Sequence, residues 1–305
     1  MKKLYGVVTP LSTPMDEQGE IDYDSLENLC HYLIGQGVNG LYPNGTTGEV
    51  IYLTAEERKK ILEHTLKAAN GGITVFSMVG AATTQETVDL ARHAEAAGAD
   101  GIGVVTPYYF SLTEEELFQH YCCVASSVSS DFPVYLYAIP QMAVNDISVS
   151  LAERIAEACP NIVGIKYSFP DMPKMLRFQT IRGGDFSVLT GPDDLFYALL
   201  ASGGDGTISG NSNVIPQEYV SVYSAFQRGD YQEAARRQAR VNQLNAILSG
   251  ICNLASYKAC LVKRGVIRSK NLRAPLRPLS SEQEAELFVR LEQLGEDSIL
   301  APVQI

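Results

Sequence analysis

The clearest signal of architecture in this chain is the segment Gly98-Ala99-Asp100-Gly101-Ile102-Gly103-Val104-Val105-Thr106. It begins as a helix-to-strand junction, in which Gly98 ends a helix in a left-handed conformation and Asp100-Gly101 turns into an apolar strand. The same junction occurs at Gly37-Val38-Asn39-Gly40 and at Gly203-Gly204-Asp205-Gly206. The first two copies, at positions 37 and 98, lie 61 residues apart, which suits two βα units of about 30 residues each. The sequence therefore predicts a repeated βα unit.

Eight short apolar runs can be traced along the chain, each bounded by Gly, Pro or polar residues. Their apolar side chains fill successive positions, as in the strands of a parallel sheet that is buried on both faces. The predicted strands are Leu4–Thr9, Gly40–Tyr42, Ile73–Val79, Gly101–Thr106, Val134–Tyr137, Ile162–Lys166, Phe186–Thr190 and Gly206–Ser209. Eight strands in repeated βα units favour a closed barrel over an open doubly wound sheet.

Amphipathic stretches of helical period lie between these runs and continue after the last of them. The predicted helices between the strands are Tyr23–Gly37, Thr54–Ala69, Thr84–Ala97, Thr113–Val128 and Val149–Ala158. Those after the last strand are Gln217–Gln227, Tyr231–Leu248, Cys252–Arg264 and Ser281–Leu294, the last opening with a capping box from Ser281 to Glu284. We therefore predict an α/β fold, a (β/α)8 TIM barrel over residues 1–225 with a C-terminal helical extension over residues 226–305.

Composition and charge exclude several classes of protein. The chain has 305 residues, of which 46% are hydrophobic and 19% charged, so it is an ordinary globular protein and not a disordered one. A formal net charge of −11 and the lack of a dense Lys/Arg run disfavour a nucleic-acid binder. No apolar run reaches 18 residues, and the apolar start is interrupted at Pro10 and Asp16-Glu17, so neither a membrane span nor a signal peptide is predicted.

Cysteine and histidine usage bears on location and on metals. The six cysteines contain no C-x-x-C pair and are too sparse for a disulfide scaffold, which predicts free thiols in a reducing cytoplasm. All four histidines fall on predicted helices, away from the strand ends, and no G-x-G-x-x-G motif follows a strand. We therefore predict neither a metal site nor a bound cofactor. The residues concerned are Cys30, Cys122, Cys123, Cys159, Cys252, Cys260, His31, His64, His93 and His120.

In a barrel of this kind the chemistry lies at the carboxyl ends of the strands. The predicted sixth strand ends in Lys166. Burial disfavours the charged ammonium form, so this amine is a candidate nucleophile at neutral pH. Gly164, two residues earlier on the same face, is expected to leave room in the barrel for a ligand. The alternative is that Lys166 reaches the rim and pairs with a carboxylate.

The predicted fifth strand ends in Tyr137, which shares the inward face with Tyr135. Neighbouring strands lie about 4.8 Å apart, so the phenol of Tyr137 and the amine of Lys166 can share one pocket. A phenol in that position can act as a proton shuttle. The alternative is that Tyr137 is a core aromatic residue whose hydroxyl is satisfied by hydrogen bonding.

The loop after the predicted second strand reads Gly45-Thr46-Thr47-Gly48-Glu49. Two glycines flank two hydroxyl residues, and successive backbone N–H groups of such a loop can bind a small anion. It is not a P-loop, because the spacing differs and no lysine follows. The alternative is an ordinary tight turn.

Three further strand ends offer candidate residues. The fourth is followed by Tyr108-Tyr109, which can line a site or a subunit contact. The seventh is followed by Asp193-Asp194, whose carboxylates can bind substrate hydroxyls, or can cap the next helix and favour its dipole. The eighth runs from Ile208 into a loop of small residues that lets a ligand approach the backbone.

These elements together resemble the dihydrodipicolinate synthase / N-acetylneuraminate lyase family of class I aldolases. The resemblance is carried by Gly45-Thr46-Thr47-Gly48-Glu49, Thr106-Pro107-Tyr108-Tyr109, Leu136-Tyr137-Ala138-Ile139-Pro140 and Gly164-Ile165-Lys166, in the family's order and spacing. It extends over essentially the whole chain. It implies that Lys166 forms a Schiff base with pyruvate and that Tyr137 relays the proton as a carbon–carbon bond is made or broken.

The resemblance also implies roles for the surrounding residues. Thr46 and Thr47 would bind the pyruvate carboxylate, and Tyr109 is similar to a tyrosine that family members lend to a neighbouring subunit's site. A homotetramer, built as a dimer of dimers, is expected. The predicted catalytic residues are Lys166, Tyr137, Thr46, Thr47 and Tyr109, and the predicted substrate-binding residues are Gly45, Gly48, Ser168, Asp193, Asp194 and Ile208.

Departures from the family pattern point to the substrate. Lysine-pathway synthases carry an arginine two residues after the proline that follows the tyrosine, and here that position is Met142. Methionine cannot replace a bidentate guanidinium on a carboxylate. Ser168 and the Asp193-Asp194 pair match sialate lyases in position, so a lyase of a 2-oxo-3-deoxy sugar acid, of N-acetylneuraminate or 2-keto-3-deoxygluconate type, is predicted. The alternatives are a 4-hydroxy-tetrahydrodipicolinate synthase, a dehydratase that uses the same imine, and a non-catalytic pyruvate sensor.

Overall fold

A computed structural model of the protein describes residues 1–251, 253–295 and 300–303. The predicted helix start at Cys252 and the predicted end of the extension at residue 305 lie outside the described residues. In the part of the chain that is described, no helix is both long enough and apolar enough to cross a membrane.

Eight parallel strands pair in sequence order, and the last pairs with the first, so the sheet closes into a barrel. The predicted TIM barrel is confirmed. The strands are β1 (Gly6–Pro10), β2 (Gly40–Tyr42), β3 (Thr74–Met78), β4 (Gly101–Val105), β5 (Val134–Ala138), β6 (Ile162–Tyr167), β7 (Ser187–Thr190) and β8 (Gly206–Ile208). Each lies within two residues of its predicted bounds at either end.

Helices alternate with these strands and then follow one another at the C-terminal end. Those of the barrel part are α1 (Tyr23–Gly35), α2 (Ala55–Ala69), α3 (Thr84–Ala96), α4 (Glu114–Ala125), α5 (Pro140–Ala143), α6 (Val149–Ala158), α7 (Met172–Phe178) and α8 (Phe196–Ala201). They are followed by α9 (Pro216–Gln227), α10 (Tyr231–Ile251), α11 (Asn253–Lys263) and α12 (Ser281–Gln293). The helical C-terminal part is thus as predicted, while α5, α7 and α8 were missed because they are short.

Helix caps explain where several of these helices begin. The side chains of Thr54 and Thr113 form the capping boxes of α2 and α4. The predicted box of the last helix was wrong by one residue, because Ser280 is the N-cap of α12 and Gln283 completes the box. The predicted domain boundary at residue 225 stays a prediction, and α9 runs across it.

The interior has two apolar layers. One lies between the strands and the surrounding helices and is the larger. The other fills the barrel itself and includes Tyr42, Phe76, Tyr135, Tyr137 and Ile208. Because side chains alternate along each strand, every second residue enters the barrel, and the last of these on β5 and β6 lie at its carboxyl end.

Glycines serve two purposes in this barrel, a left-handed backbone at the junctions and a close approach of two strands. At the repeated junctions, Gly37, Gly98 and Gly203 have φ values of 82°, 88° and 94°, which are the left-handed conformations that the sequence predicted. Where β1 meets β8, Gly6 pairs with Gly206. A Cβ at Gly206 would lie 2.2 Å from the Gly6 carbonyl oxygen, so the closing seam requires glycine there.

Candidate active site

Lys166 and Tyr137 lie side by side at the carboxyl end of the barrel. They are paired in the β5–β6 register, and both are buried. The Lys166 Nζ atom is 4.0 Å from the centroid of the Tyr137 ring. Among the described residues, no carboxylate oxygen lies within 4.0 Å of that amine, and Lys166 is only 4% exposed. The alternative that Lys166 pairs with a carboxylate at the rim was therefore wrong.

Gly164 does not leave room for a ligand, contrary to the prediction. A Cβ there would lie 2.4 Å from the Ser187 carbonyl oxygen and 2.6 Å from Cε1 of Tyr135. The space beside Gly164 is thus filled by the Tyr135 ring and by strand β7. The glycine lets a large aromatic side chain pack across the barrel floor beneath Lys166.

The phenol of Tyr137 is joined to the threonine loop. Its hydroxyl lies 3.1 Å from Oγ1 of Thr46, with either atom able to donate. The interpretation of Tyr137 as a core aromatic residue with a satisfied hydroxyl holds for its ring, which is 1% exposed. The hydrogen bond nevertheless directs that hydroxyl to the threonine loop, while the amine of Lys166 lies against the same ring.

The threonine loop is a single turn of 3-10 helix, Thr46–Gly48, with Gly45 as its N-cap. The first N–H groups of a helix have no acceptor within it, and so they are available to an anion. Thr46 and Thr47 are partly exposed, whereas Gly48 is buried. A Cβ at Gly48 would lie 2.9 Å from the Leu11 carbonyl oxygen, so this glycine serves packing. The loop is therefore a tight turn, and its first N–H groups remain available to an anion.

Asn44 fixes the start of this loop. Its backbone is left-handed, with a φ of 65°. Its amide donates to the Arg58 carbonyl oxygen at 2.9 Å and lies 3.3 Å from the Ser77 hydroxyl oxygen. The loop is thus held by hydrogen bonds to β3 and α2, so these two elements fix the positions of the two threonines.

Tyr42, at the end of β2, is a site neighbour that the sequence analysis missed. The Lys166 Nζ atom lies 5.3 Å from the centroid of its ring, which forms a second aromatic wall. Complete burial raises the pKa of the Tyr42 phenol well above its ordinary value. The inward register of β2 could have identified it, because Tyr42 is the last inward-facing residue of its strand, as Tyr137 and Lys166 are of theirs.

The Asp193 carboxylate is engaged by donors of the protein itself, and its role in binding substrate stays a prediction. Its carboxylate accepts hydrogen bonds from Ser209 Oγ, from Asn211 Nδ2 at 3.0 Å and from the Tyr219 hydroxyl at 2.6 Å. Burial raises its pKa to about 6. The alternative role as a helix cap was wrong, because Pro192 is the N-cap of the 3-10 turn Asp193–Leu195. Asp193 instead ties the β7 and β8 ends together.

Asp194 has a different environment from its neighbour. Its side chain is exposed and accepts a hydrogen bond from Asn245 Nδ2 of α10 at 3.0 Å. The Asn245 oxygen in turn accepts from Ser249 Oγ at 2.8 Å and from Asn211 Nδ2 at 2.8 Å. These uncharged groups of α10 were not found from the sequence, because nothing local links them to the barrel.

The remaining predicted residues occupy several positions. Ser168 is buried, and a Cβ at Gly191 would lie 1.9 Å from its hydroxyl oxygen, so Ser168 packs over the end of β7. Ile208 is buried inside the barrel. Tyr109 is 81% exposed with a φ of 84°, so within one chain it is not brought to Lys166. Met142 is 62% exposed on α5.

A comparison with protein families matches the Dihydrodipicolinate synthetase family over residues 3–294. Among curated relatives, a 4-hydroxy-tetrahydrodipicolinate synthase of Acidiphilium cryptum is 36% identical over 293 residues, covering 95% of this chain and 98% of that protein. An uncharacterised DapA-like lyase of Pyrococcus horikoshii is 34% identical over 294 residues, covering 95% and 99%.

Solved structures give the same result. YagE, a prophage protein of E. coli K12 in complex with pyruvate, superposes with a TM-score of 0.91 at 32% identity, covering 95% of this chain and 98% of that one. Dihydrodipicolinate synthase from Aquifex aeolicus has a TM-score of 0.90 at 35% identity, covering 96% and 98%. With a lysine and a tyrosine paired at the carboxyl end of its barrel, this chain belongs to the dihydrodipicolinate synthetase family of class I pyruvate aldolases, which are lyases.

Proposed function

We propose that this enzyme cleaves or forms a 2-oxo-3-deoxy sugar acid through an imine between Lys166 and pyruvate. The observation that carries the proposal is the arrangement of the amine, the phenol and the threonine hydroxyl. The amine lies 4.0 Å from the Tyr137 ring, and the Tyr137 hydroxyl lies 3.1 Å from Thr46 Oγ1. The reaction is expected to need neither a metal nor an organic cofactor.

The chemistry follows from the iminium as an electron sink. The neutral amine of Lys166 attacks the C2 carbonyl of the 2-oxo acid, and loss of water gives the iminium. In the cleavage direction Tyr137 takes the proton of the C4 hydroxyl as it passes its own phenolic proton to the substrate carboxylate, so the phenol stays neutral. The C3–C4 bond breaks and its electron pair moves into the enamine, which releases the aldehyde. Tyr137 then returns the proton to C3, and hydrolysis of the imine gives pyruvate and restores Lys166.

The threonine loop is proposed to bind the carboxylate of the pyruvate half. Thr46 and Thr47 offer hydroxyl groups together with the first N–H groups of a 3-10 turn. Binding the carboxylate there would present C2 to Lys166, while Thr46 keeps the phenol oriented. Gly45 and Gly48 are proposed to serve this loop through backbone conformation and close packing.

The environment at the aldehyde end favours hydroxyl groups over a second carboxylate. Met142 stands where lysine-pathway synthases carry an arginine, and it offers no charge to an aldehyde that bears a carboxylate. Asp194, Asn245 and Ser249 form a hydrogen-bonded polar group at the end of β7. We propose that this group and Ser168 interact with sugar hydroxyls, in place of Asp193, whose carboxylate accepts hydrogen bonds from Ser209, Asn211 and Tyr219.

A second candidate is a 4-hydroxy-tetrahydrodipicolinate synthase. It is favoured by the names of relatives such as the Acidiphilium cryptum protein, which is 36% identical. A dehydratase would use the same imine and release water without an aldehyde, and a pyruvate sensor would keep Lys166 without turnover.

A homotetramer in the cytoplasm is part of the proposal. The exposed Tyr109 and Phe110 rings, 81% and 72% exposed, suit a subunit contact in which Tyr109 enters a neighbouring site. The five cysteines that the structure describes are free, which suits a reducing compartment.

Borohydride trapping with pyruvate, followed by peptide mass spectrometry, tests the imine. An adduct is expected on Lys166, with none in Lys166→Ala. A folded wild-type protein that forms no adduct would remove the aldolase mechanism.

The substrate is tested with enzyme that has not been treated with borohydride. This enzyme is given pyruvate together with either hydroxyaldehydes or aspartate semialdehyde. Product formation from hydroxyaldehydes is expected to be faster, and Met142→Arg should increase the relative rate with aspartate semialdehyde. Faster turnover of aspartate semialdehyde by the wild type would support the synthase instead. Pyruvate trapping without turnover of any aldehyde would favour the sensor.

A further inference from the structure

A buried ion pair joins the end of the threonine loop to the C-terminal helices. Glu49 and Lys258 have side chains that are 0% and 1% exposed, with 2.5 Å between Oε1 and Nζ. The second carboxylate oxygen of Glu49 accepts from the Arg273 backbone N–H at 2.8 Å, and Lys258 also donates to the Asn271 carbonyl oxygen at 2.6 Å. The two residues are 209 positions apart in the chain.

Such a pair is a poor way to stabilise a protein. Removing both charges from water costs about as much as their attraction returns, and apolar replacements of similar volume are often neutral or stabilising. Burial lowers the pKa of Lys258, which reflects the same cost of desolvating its charged form. A role in fixing geometry explains the pair better than a role in stability.

What the pair holds in place is the end of the Thr46–Gly48 turn. Glu49 is the C-cap of that turn, with a left-handed φ of 62° that is uncommon outside glycine. Its side chain, clamped by Lys258 and by the Arg273 N–H, fixes this unusual conformation from the C-terminal part of the chain.

The helix that carries Lys258 also contacts the loop beside it. A Cβ at Gly210 would lie 3.1 Å from Thr47 Oγ1 and 3.1 Å from Cε2 of Tyr257, so both side chains pack against that glycine. Helix α11 therefore supports the loop at Glu49, through Lys258, and near Thr47, through Tyr257.

We propose that Glu49 and Lys258 are positioning residues for pyruvate, which hold Thr46 and Thr47 in the geometry that binds its carboxylate. The C-terminal helices are thereby a working part of the site and not an appendage. This inference rests on the proposed imine chemistry. It predicts that loss of the pair weakens pyruvate binding more than it slows the later steps.

The test is the double variant Glu49→Gln/Lys258→Met, which removes both charges and retains an acceptor for the Arg273 N–H. The pyruvate concentration for half-maximal trapping of Lys166 should rise about tenfold to a hundredfold, the range for a misplaced binding group. The extent of trapping at saturating pyruvate should be unchanged. In turnover assays the KM for pyruvate should rise by a larger factor than kcat falls. The single variant Lys258→Arg should bind pyruvate to within about threefold of the wild type, because arginine keeps the positive charge and the N–H donors.

A matched control is Glu27→Gln/Lys67→Met, which removes a Lys–Glu pair between the outer helices α1 and α2. It should trap pyruvate as the wild type does. If the Glu49 and Lys258 double variant also traps at the wild-type concentration, the proposal is overturned. Should that variant fail to fold, Glu49→Asp, which withdraws the carboxylate by one methylene, is expected to give the same rise in KM, and a wild-type KM would overturn the proposal.

Failure of the imine chemistry can be told apart from failure of this inference. If the wild type itself forms no adduct, the proposed function fails, and the inference is decided by a crystal structure of the double variant. An unchanged Thr46–Gly48 turn, with the Thr46–Tyr137 separation still near 3.1 Å, would contradict it. A displaced turn would support it.

Discussion

Replacing Tyr137 by phenylalanine separates proton transfer from simple orientation. The change removes one oxygen and keeps the ring that lies 4.0 Å from the Lys166 amine, so the barrel interior should remain packed. The lost interaction is the hydrogen bond to Thr46 at 3.1 Å. A hydrogen bond of this kind contributes about 1 kcal/mol net, which corresponds to about a fivefold change in rate.

A proton shuttle would matter far more. Positioned general acid–base groups contribute about a hundredfold to ten-thousandfold to a rate. We therefore expect Tyr137→Phe to lower the rate by at least about a hundredfold, and Thr46→Val, which leaves the phenol but removes its partner, to lower it by about fivefold.

The assay can avoid any assumption about the aldehyde. If Tyr137 protonates the enamine at C3, it also removes that proton in reverse, so the enzyme should exchange the methyl protons of pyruvate for deuterium in D2O. Proton NMR measures this rate directly. Borohydride trapping checks that the variant still forms the imine.

The result that would refute the reasoning is a small effect in a folded protein. If Tyr137→Phe forms the imine and exchanges the C3 protons within tenfold of the wild-type rate, then Tyr137 only orients its neighbours. Another group would then have to move the proton.

Three other changes test separate parts of the structure. Folding favours the protonated form of Asp193, since burial raises its pKa from an ordinary 3.8 to about 6. The free energy of unfolding should therefore fall by about 3 kcal/mol in all as the pH rises from about 3 to about 7. Asp193→Asn should remove this fall in urea unfolding, and a wild-type pH dependence would contradict the assignment. Gly103→Ala places a Cβ 1.8 Å from the Tyr42 hydroxyl and should cost about 3 kcal/mol in thermal unfolding; an unchanged melting temperature would mean that Tyr42 can move aside. Thr54→Ala removes the capping box of α2 and should cost about 1 kcal/mol without altering pyruvate trapping.

The barrel could be predicted because its signals are local. The junction glycines Gly37, Gly98 and Gly203 each carry their own turn chemistry, and each strand is a short apolar run. The pairing of Tyr137 with Lys166 could also be predicted, since both lie near the carboxyl ends of adjacent parallel strands. Short helices such as α7 have too few turns to show a period.

Residues whose role depends on distant partners could not be assigned in the same way. Gly164 was predicted to leave room for a ligand, yet the Tyr135 side chain of the neighbouring strand fills that space. Asp193 was predicted to bind substrate or to cap a helix. Its carboxylate accepts hydrogen bonds from Ser209, Asn211 and Tyr219, which lie after the following strand and on the helix beyond it. Sequence spacing shows that an acidic residue follows a strand but not which donors meet it. The contact of Glu49 with Lys258 leaves no local trace for the same reason.

The glycine seam between Gly6 and Gly206 has a consequence for the order of assembly. During synthesis from the N-terminus, β1 is available long before β8 has left the ribosome, so the first strand must wait for about two hundred residues to be made. Until then the nascent sheet has two free edges, which can pair with other chains. Closure removes both edges at once, and the exposure of this protein to aggregation is therefore concentrated in the interval before the seam forms.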